Sequence, residues 1–402
     1  MKILKNHEFL FCAIFFILNI IIMFYLPMRK KYKVKIHSIQ EPTFFNETQV
    51  WALYYGIWGN TETDGEWINW KILHDDWSNS FFEPPNSIPS LFFPALGLYS
   101  CHHQPTLKNH IKSLINVGVN TIVLTWASPQ NLPFLDQTLK YFLHFTQKMR
   151  FKIAILIPEY TNRSILTLFQ DISTYISAYS SEQSLLKVNN CPIIIIENSY
   201  HLLHSTNFSF NLSSNLYTND NRLLNTDAYY FPQTEYQQLI SKLKEINQNP
   251  FLLGTGSSKN EAFNALDDGF NGFVSFYPSD YFSSLADPNT WKFDVSDFKS
   301  RGFLYIPTVS PGFNMSAKSL QFSRLSRSRR GGIRYEQQWK KAIDSHPEAI
   351  LINSFNNWHD GTSIEPISID PNYPIDNNIW AGNDSNVFMT LTKKWADIYH
   401  HN

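Results

Sequence analysis

Short apolar runs that favour β-strands recur at fairly even intervals through this chain, and this recurrence constrains the fold more than any other feature. Each run is nearly continuous in apolar character, as is typical of strands buried on both faces. There are eight such runs: Val50–Trp58, Thr121–Trp126, Lys152–Ile157, Pro192–Ile196, Pro250–Gly254, Gly272–Phe276, Phe303–Val309 and Ala349–Phe355.

Segments with helical spacing of apolar residues lie between several of the runs. They include Thr106–Val119, Asp136–Met149, Tyr236–Ile246 and Glu336–Ser345. Strand and helix that alternate eight times predict an α/β fold, a single (β/α)8 TIM barrel. The alternative is an open doubly wound sheet. No G-x-G-x-x-G motif follows an early strand, which disfavours a dinucleotide site.

The composition limits the classes of partner. The 402 residues carry a net charge of −1, and no basic stripe is interleaved with aromatic residues, so we expect no nucleic acid partner. Aromatic residues make up 16% of the chain. Most of them can fill a large core, and others can line a cleft for a flat ligand such as a sugar. No cluster has metal-ligand spacing, so we expect no metal and no cofactor.

The N-terminal region predicts a membrane anchor. The segment Phe9–Leu26 holds 18 residues without a charge, near the lower limit for a spanning helix, and no small-residue cleavage site follows it. We therefore predict a short tail at residues 1–8, a signal-anchor transmembrane helix at 9–27, a stem at 28–48 and the barrel at 49–402. Basic residues after the span, taken alone, favour a cytosolic body.

Potential N-glycosylation sites favour the opposite orientation. Six N-x-[ST] sequons are spread through the body, as expected for a protein of the secretory lumen. They lie at Asn46, Asn162, Asn207, Asn211, Asn314 and Asn383. Cys101 and Cys191 could pair in such a compartment or remain free thiols, and the sequence leaves both alternatives open.

Polar and aromatic residues follow the predicted strands, and in a barrel the chemistry takes place at the C-terminal ends of the strands. A rim of Tyr, Trp, Asn and carboxylates suits a neutral polyhydroxylated ligand. The predicted ligand-binding residues are Tyr54, Tyr55, Trp58, Trp126, Tyr160, Asn198, Trp358 and His359. Carboxylates and an amide lie at or just beyond the same strand ends: Glu159, Asn357, Asp360 and Glu365.

An ordered set of motifs resembles glycoside hydrolase family 99, the Golgi endo-α-1,2-mannosidases. The motifs are YYGIWGN and DGEWINW within Tyr54–Trp70, FFPALGLYS at Phe92–Ser100, VLTWASP at Val123–Pro129, PEYTNR at Pro158–Arg163, IPTVSPGF at Ile306–Phe313 and SFNNWHDGTSIE at Ser354–Glu365. The resemblance implies a (β/α)8 barrel on a type II Golgi membrane anchor. It also implies retaining, internal cleavage of α-mannosides on N-glycoproteins.

The last motif departs from the family where its chemistry takes place. The family pattern resembles S-F-N-E-W-H-E-G-T-x-I-E, in which the first Glu is a base on the sugar 2-hydroxyl and the second is the general acid. Asn357 aligns with the base and Asp360 with the acid. An amide cannot accept a proton near neutral pH. Asp360 keeps a carboxylate that is one methylene shorter.

Two other strand ends also depart from the family. At the third strand the family reads I-E-P-Y, whereas this chain has Glu159 one position later, which reverses the face of a strand residue unless a bulge corrects it. At the sixth strand, Val274 and Phe276 stand where the family has tyrosines. By contrast Trp358 and Glu365 match the pattern.

Two functional interpretations follow from these departures. In the first, the chain is an endo-mannosidase whose base has moved to another carboxylate, with four candidates: Glu159, Glu197, Asp280 and Glu365. In the second, it is a lectin-like pseudoenzyme that binds α-mannosides without turnover. The departures gather around the chemistry, which favours the second interpretation.

Overall fold

Parallel strands form a barrel in this protein, and their C-terminal ends face one rim. The computed structural model describes residues 42–71, 82–160, 163–199, 233–256, 258–276, 285–314, 326–369 and 384–402, which lie in one unit, Pro42–Asn402. The strands are β1 Gln49–Tyr54, β2 Thr121–Thr125, β3 Lys152–Ile157, β4 Lys187–Val188, β5 Cys191–Ile196, β6 Phe251–Thr255, β7 Gly272–Val274, β8 Leu304–Ile306, β9 Thr308–Val309 and β10 Ala349–Ile352.

The strand pairing closes the barrel. The order is β8, β7, β6, β5, β3, β2, β1, β10 and β9, with β4 as an antiparallel addition on β5. β8 and β9 belong to one run interrupted at Pro307, which has no N–H to donate. β8 pairs with β7, and β9 pairs with β10. The Pro307 carbonyl accepts the Leu351 N–H at 3.0 Å, so this run bridges both neighbours.

The first and last strands meet as predicted. Gln49 pairs with Ala349 and Ala52 with Ile352, so β10 lies beside β1. The predicted (β/α)8 barrel is confirmed, and the open-sheet alternative is excluded because no gap separates the two ends of the strand order. Most strand residues are fully buried, as the continuous apolar runs predict.

Helices cover the barrel on the outside. They are α1 Thr61–Asp64, α2 Gln104–Asn116, α3 Pro133–Thr146, α4 Ile165–Tyr179, α5 Gln233–Glu245, α6 Lys259–Asp267, α7 Trp291–Ser300, α8 Ile333–Asp344 and α9 Val387–His400. Ser164 and Ser258 begin α4 and α6 with reciprocal capping boxes, in which the cap hydroxyl accepts a backbone N–H three residues later.

Several apolar runs extend past the strands they predict. The run at Val50–Trp58 gives a strand that ends at Tyr54, and the run at Ala349–Phe355 gives one that ends at Ile352. The extra residues are buried beneath the rim; Ile57 and Phe355, for example, are each 1% exposed. These residues are buried and apolar, as the strand residues are. Hydrophobicity alone therefore does not mark the residue at which the hydrogen bonding between strands ends.

The predicted tail and anchor, together with most of the stem, lie outside the described residues. Among the described helices, none is long and apolar enough to cross a membrane. The two cysteines of the barrel are free thiols in this structure, Cys101 buried and Cys191 half-buried. Of the two alternatives that the sequence left open, the structure therefore has the unpaired one.

Candidate active site

The chain after β10 folds back on itself and forms a loop at the rim. The Ser354 N–H donates to the Thr362 carbonyl at 3.1 Å, and the Glu365 N–H donates to the Phe355 carbonyl at 2.9 Å. The hydroxyls of Ser354 and Thr362 lie 2.8 Å apart and join the two limbs. These contacts carry Asn357 to the tip of the loop, where its N–H donates to the Ser354 hydroxyl at 2.8 Å.

The side chains of Asn357 and Asp360 bond to each other at this tip. Asn357 Nδ2 donates to Asp360 Oδ2 at 2.7 Å, and the Asp360 N–H donates to Asn357 Oδ1 at 3.2 Å. The Asp360 carbonyl in turn accepts the Asn314 N–H at 2.8 Å. Asn357 is 5% exposed, and Asp360 is half-buried. The structure thus brings the Asn357 amide and the Asp360 carboxylate together, and in the hydrogen bond between their side chains the amide is the donor.

Asn356 ties the loop to the end of β1. Its Oδ1 accepts the Tyr55 N–H at 2.7 Å, and its Nδ2 donates to the Tyr55 carbonyl at 3.0 Å. This two-way clamp substitutes for backbone pairing after both strands have ended. The carbonyl of Asn356 also accepts the Trp58 indole N–H at 3.1 Å. The predicted site residues Tyr55 and Trp58 are therefore joined directly to the loop.

A chain of buried polar groups lies behind the loop. The Tyr99 hydroxyl donates to Glu365 Oε2 at 2.7 Å, and Glu365 Oε1 lies 3.1 Å from His110 Nε2. His110 Nδ1 lies 2.9 Å from the Tyr54 hydroxyl. Glu365 is 1% exposed, so the predicted candidate carboxylate faces the protein interior. We call Tyr99, Glu365, His110 and Tyr54 the buried network.

Burial controls the ionisation of the tyrosines in the buried network. Desolvation raises the pKa of Tyr99 well above 10.0, and the nearby Glu365 charge raises it further. Desolvation also raises the pKa of Tyr54 well above 10.0, with a further contribution from Cys101. Both hydroxyls therefore stay neutral and remain available as hydrogen-bond donors.

A second group of charged residues lies at the ends of β3 and β5. The Glu159 N–H donates to Glu197 Oε2 at 3.1 Å, and Arg163 Nη2 lies 3.7 Å from Glu159 Oε1. The Arg163 guanidinium also donates to the Glu197 carbonyl at 2.7 Å and to the Asn198 carbonyl at 3.3 Å. Glu197 is 3% exposed, whereas the Glu159 side chain is 12% exposed. Glu159 is the more accessible of the two carboxylates.

Tyr160 and Asn198 lie next to this charged group. The Tyr160 hydroxyl donates to Asp171 Oδ2 on α4 at 2.5 Å, so its ring is fixed from behind. Burial, with the adjacent Asp171 charge, raises the pKa of Tyr160 above its ordinary value. Asn198 has a φ of +44° and is 4% exposed. A non-glycine residue in this region is strained, and such residues concentrate at functional sites.

Three of the predicted ligand-binding tryptophans lie below the surface. Trp58, Trp126 and Trp358 are each 0% exposed. The Trp126 indole N–H donates to Asp136 on α3 at 3.1 Å, which places this ring against the helical layer. Trp58 stacks on Trp70, with ring centroids 4.2 Å apart. In this structure these rings support the rim from beneath, as does Tyr54, which is also 0% exposed.

His359 links the loop to the chain after β1. Its Nε2 lies 2.9 Å from the Asn69 carbonyl, and its ring meets the Trp58 ring edge-on at 4.9 Å. His359 is 3% exposed. Within the described ranges, no group of three or more His, Cys, Asp or Glu side chains is placed to hold a metal ion. The candidate carboxylate Asp280 lies outside the described residues.

Sequence reasoning missed residues that hold the loop from behind. His110 lies on the apolar face of α2 with Leu107 and Ile111, and a histidine at that spacing was a usable signal. Tyr99 closes a motif that resembles the family, but its role depends on a contact between distant parts of the chain. Arg329, which donates to the Gly361 carbonyl at 2.7 Å, belongs to none of the sequence motifs.

Two proteins with similar sequences carry the same name. The glycoprotein endo-alpha-1,2-mannosidase of Mus musculus is 24% identical over 372 residues, which cover 87% of this chain and 74% of the mouse protein. The Xenopus laevis protein of the same name is 25% identical over 394 residues, which cover 93% of this chain and 81% of that protein.

A solved structure shares the fold, and a family model covers nearly the whole barrel. The GH99 endo-alpha-mannosidase from Bacteroides thetaiotaomicron superposes with a TM-score of 0.73 at 22% identity, covering 88% of this chain and 98% of the bacterial chain. The model of glycosyl hydrolase family 99 matches residues 46–401. This chain therefore belongs to glycosyl hydrolase family 99.

Proposed function

We propose that this protein binds α-mannosides of N-glycans at the rim of its barrel and hydrolyses them very slowly or not at all. The observation that carries the proposal is the pair at the loop tip, where Asn357 Nδ2 donates to Asp360 Oδ2 at 2.7 Å. Asn357, which aligns with the family's base, is an amide. Its Nδ2 donates to Asp360, which aligns with the family's acid.

The chemistry of the family explains why this pair opposes turnover. The mechanism that the resemblance implies requires a base that removes the proton of the sugar 2-hydroxyl. The amide of Asn357 has no lone pair that takes a proton near neutral pH. The carboxylate of Asp360 is shorter than that of Glu, and a misplacement of about 1 Å costs on the order of 10²-fold in rate.

Binding does not depend on that proton transfer. The Asn357 amide can donate to one sugar hydroxyl and accept from another. Glu159 adds a partly exposed carboxylate at the neighbouring strand ends. The substrate class follows from the relatives, which carry the name glycoprotein endo-alpha-1,2-mannosidase.

A relocated base is the second candidate, and the partial exposure of Glu159 favours it over Glu197 and Glu365, the other two candidate carboxylates within the described residues. Its side chain is 12% exposed, against 3% for the residue Glu197 and 1% for the side chain of Glu365. Glu365 already contacts Tyr99 and His110 with its two oxygens. A hydrolase with a moved base would therefore use Glu159.

An assay of the unmodified full chain, purified in detergent, separates the two candidates. We expect a glucosylated high-mannose glycan to bind, as measured by calorimetry, while chromatography detects almost no released fragment. Rapid release that is abolished by Glu159→Gln but retained in Asp360→Asn would overturn the lost-base proposal and establish the relocated base.

We also propose that the barrel faces the Golgi lumen on a type II anchor at residues 9–27. The six sequons support this orientation; of those within the described residues, Asn46 is exposed and Asn314 is half-buried. A shift in mobility after endoglycosidase treatment and protection of the C-terminus from protease in intact microsomes are the expected results. An unglycosylated chain with a digested C-terminus contradicts the proposal.

A further inference from the structure

The hydroxyl of Tyr99 uses its full hydrogen-bonding capacity. It donates its proton to Glu365 Oε2 at 2.7 Å and accepts from Asn356 Nδ2 at 3.2 Å and from Trp358 Nε1 at 3.3 Å. A tyrosine hydroxyl has one proton to donate and acceptor capacity on its oxygen, so all three contacts can form together. Tyr99 is 3% exposed, and no water needs to complete this set.

The two residues that donate to Tyr99 flank Asn357 in the chain. Asn356 is also clamped to the backbone of Tyr55 by two hydrogen bonds, of 2.7 and 3.0 Å. Trp358 is fully buried, so its indole cannot turn to another partner without opening the core. The backbone on both sides of Asn357 is thus held by one hydroxyl behind the loop.

Glu365 decides which way that hydroxyl points. The Tyr99 hydroxyl donates its one proton to Glu365 Oε2, so its oxygen can only accept from other partners. The lone pairs of the tyrosine oxygen then face the two N–H donors. The second oxygen of Glu365 lies 3.1 Å from His110 Nε2, so His110 limits the space into which the carboxylate can turn.

We propose that Tyr99 is a positioning residue, oriented by Glu365, that sets the place of Asn357 at the rim. The proposal deepens the proposed function and rests on it only in that Asn357 is taken to contact the mannoside. Glu365 acts here through Tyr99 and does not touch the sugar. Its match to the family motif is explained by this support role.

The test compares Tyr99→Phe with Tyr399→Phe in the full chain. Tyr399 is also 3% exposed, and its hydroxyl donates to the Pro347 carbonyl at 2.6 Å, before β10 and away from the loop. Each variant loses one buried hydroxyl of the same kind. The first readout is the side-chain amide resonance of Asn357 in protein labelled at asparagine, assigned by its loss in Asn357→Asp.

We expect the Asn357 amide resonance to move in Tyr99→Phe by more than the spread among the other asparagines, and to stay in place in Tyr399→Phe. An Asn357 resonance that does not move in Tyr99→Phe overturns the proposal. If Tyr99→Phe fails to fold, Glu365→Gln replaces it, because its amide keeps the volume and disturbs the direction of the Tyr99 hydrogen bond. An unmoved resonance in that variant also overturns the proposal.

The second readout is the affinity for an α-1,2-linked mannobioside, measured by calorimetry. We expect Tyr99→Phe to weaken binding about tenfold and Tyr399→Phe to leave it unchanged. Equal losses in the two variants reduce Tyr99 to a structural role and overturn the proposal. If the unmodified protein binds no mannoside, the proposed function fails, and the resonance readout alone still decides the role of Tyr99.

Discussion

The loop after β10 has two sides that differ in exposure and in the kind of hydrogen bonds they make. On the front, Asn357 and Asp360 bond to each other at the rim, and Asp360 is only half-buried. On the back, Glu365 and His110 are each 1% exposed and contact other side chains across the core. Both sides carry polar groups, but only the back encloses an acid without access to water.

The difference in exposure predicts which side of the loop tolerates substitution at the lower cost in stability. Removing one partner from a buried charged contact leaves the other unsatisfied, which costs several kcal/mol. A change at the half-buried Asp360 exposes its carboxylate position to water, so we expect it to affect catalysis more than stability. The back holds the carboxylate of Glu365, whereas the front holds the amide of Asn357 and the shorter carboxylate of Asp360.

The largest expected effect is a gain of turnover on the front. Asn357→Glu combined with Asp360→Glu restores both carboxylates, and general acid–base catalysis contributes roughly 10²–10⁴-fold. We expect the double variant to release the mannoside fragment at least about 10² times faster than the unmodified chain, as measured by chromatography of the products.

The single variants are the controls for this gain. Each restores only one of two groups that are required together, so neither Asn357→Glu nor Asp360→Glu alone should approach the rate of the pair. A double variant that binds the glycan as tightly as the unmodified chain, yet releases no fragment faster, contradicts the idea that the front alone limits turnover.

The next effect is a loss of stability on the back. Glu365→Ala leaves the buried Tyr99 hydroxyl without its acceptor and removes the carboxylate beside His110 Nε2. We expect the free energy of unfolding to fall by about 3 kcal/mol. Asp360→Ala removes a half-buried carboxylate and should cost under about 1 kcal/mol. Urea denaturation of both variants makes the comparison. Equal losses of stability in the two variants would contradict the difference proposed between the front and the back of the loop.

Alkaline pH provides a smaller test of the same contrast. Burial raises the pKa of Tyr99 and of Tyr54 well above 10.0, so the unfolded chain loses these protons first as the pH rises. Above about pH 10 the unfolded state then binds fewer protons than the folded state, and stability falls with rising pH. Below that pH the contribution is fully present.

The size of this effect follows from linkage. Each such tyrosine adds a slope of about 1.4 kcal/mol per pH unit above its unfolded pKa. Urea midpoints between pH 9 and 11 should therefore fall less steeply in Tyr99→Phe than in the unmodified chain, whereas Asp360→Asn should keep the full slope. Identical slopes in all three proteins contradict the assignment of Tyr99 to the buried side.

The fold could be predicted from sequence because burial on both faces leaves a continuous apolar signal. The eight runs and the closure of β10 beside β1 are both confirmed. The short hairpin strand Lys187–Val188 was missed, since two residues carry no periodicity. The ends of the runs were too long because rim residues such as Ile57 are buried outside the strands.

The site could be predicted only where it is local in sequence. The stretch Ser354–Glu365 gave the front, because Asn357 and Asp360 lie three positions apart. It could not give the back, since Tyr99 reaches Glu365 across 266 positions. The sequence of a motif does not tell whether its carboxylate faces a ligand or the core. For Glu365, only the structure shows that the side chain faces the core.

The smallest expected effect tests the turn that joins the two sides. Gly361 has a φ of +60°, and a Cβ there would lie 2.9 Å from the Asn314 carbonyl oxygen. Gly331 has the same φ, but nothing lies within 4 Å of its Cβ position. Alanine at either position costs about 1 kcal/mol for the left-handed backbone. At Gly361 the backbone of Asn314, which donates to the Asp360 carbonyl, must also shift.

Gly361→Ala should therefore lose about 1 kcal/mol more stability in urea than Gly331→Ala, and only the former should weaken mannoside binding. The reason is that the shift displaces Asp360 relative to Asn357 on the front while the contacts of Glu365 on the back stay in place. If both alanine variants lose the same stability and keep the same affinity, the turn does not set the front. The position of Asn357 is then governed from the back alone, by Tyr99.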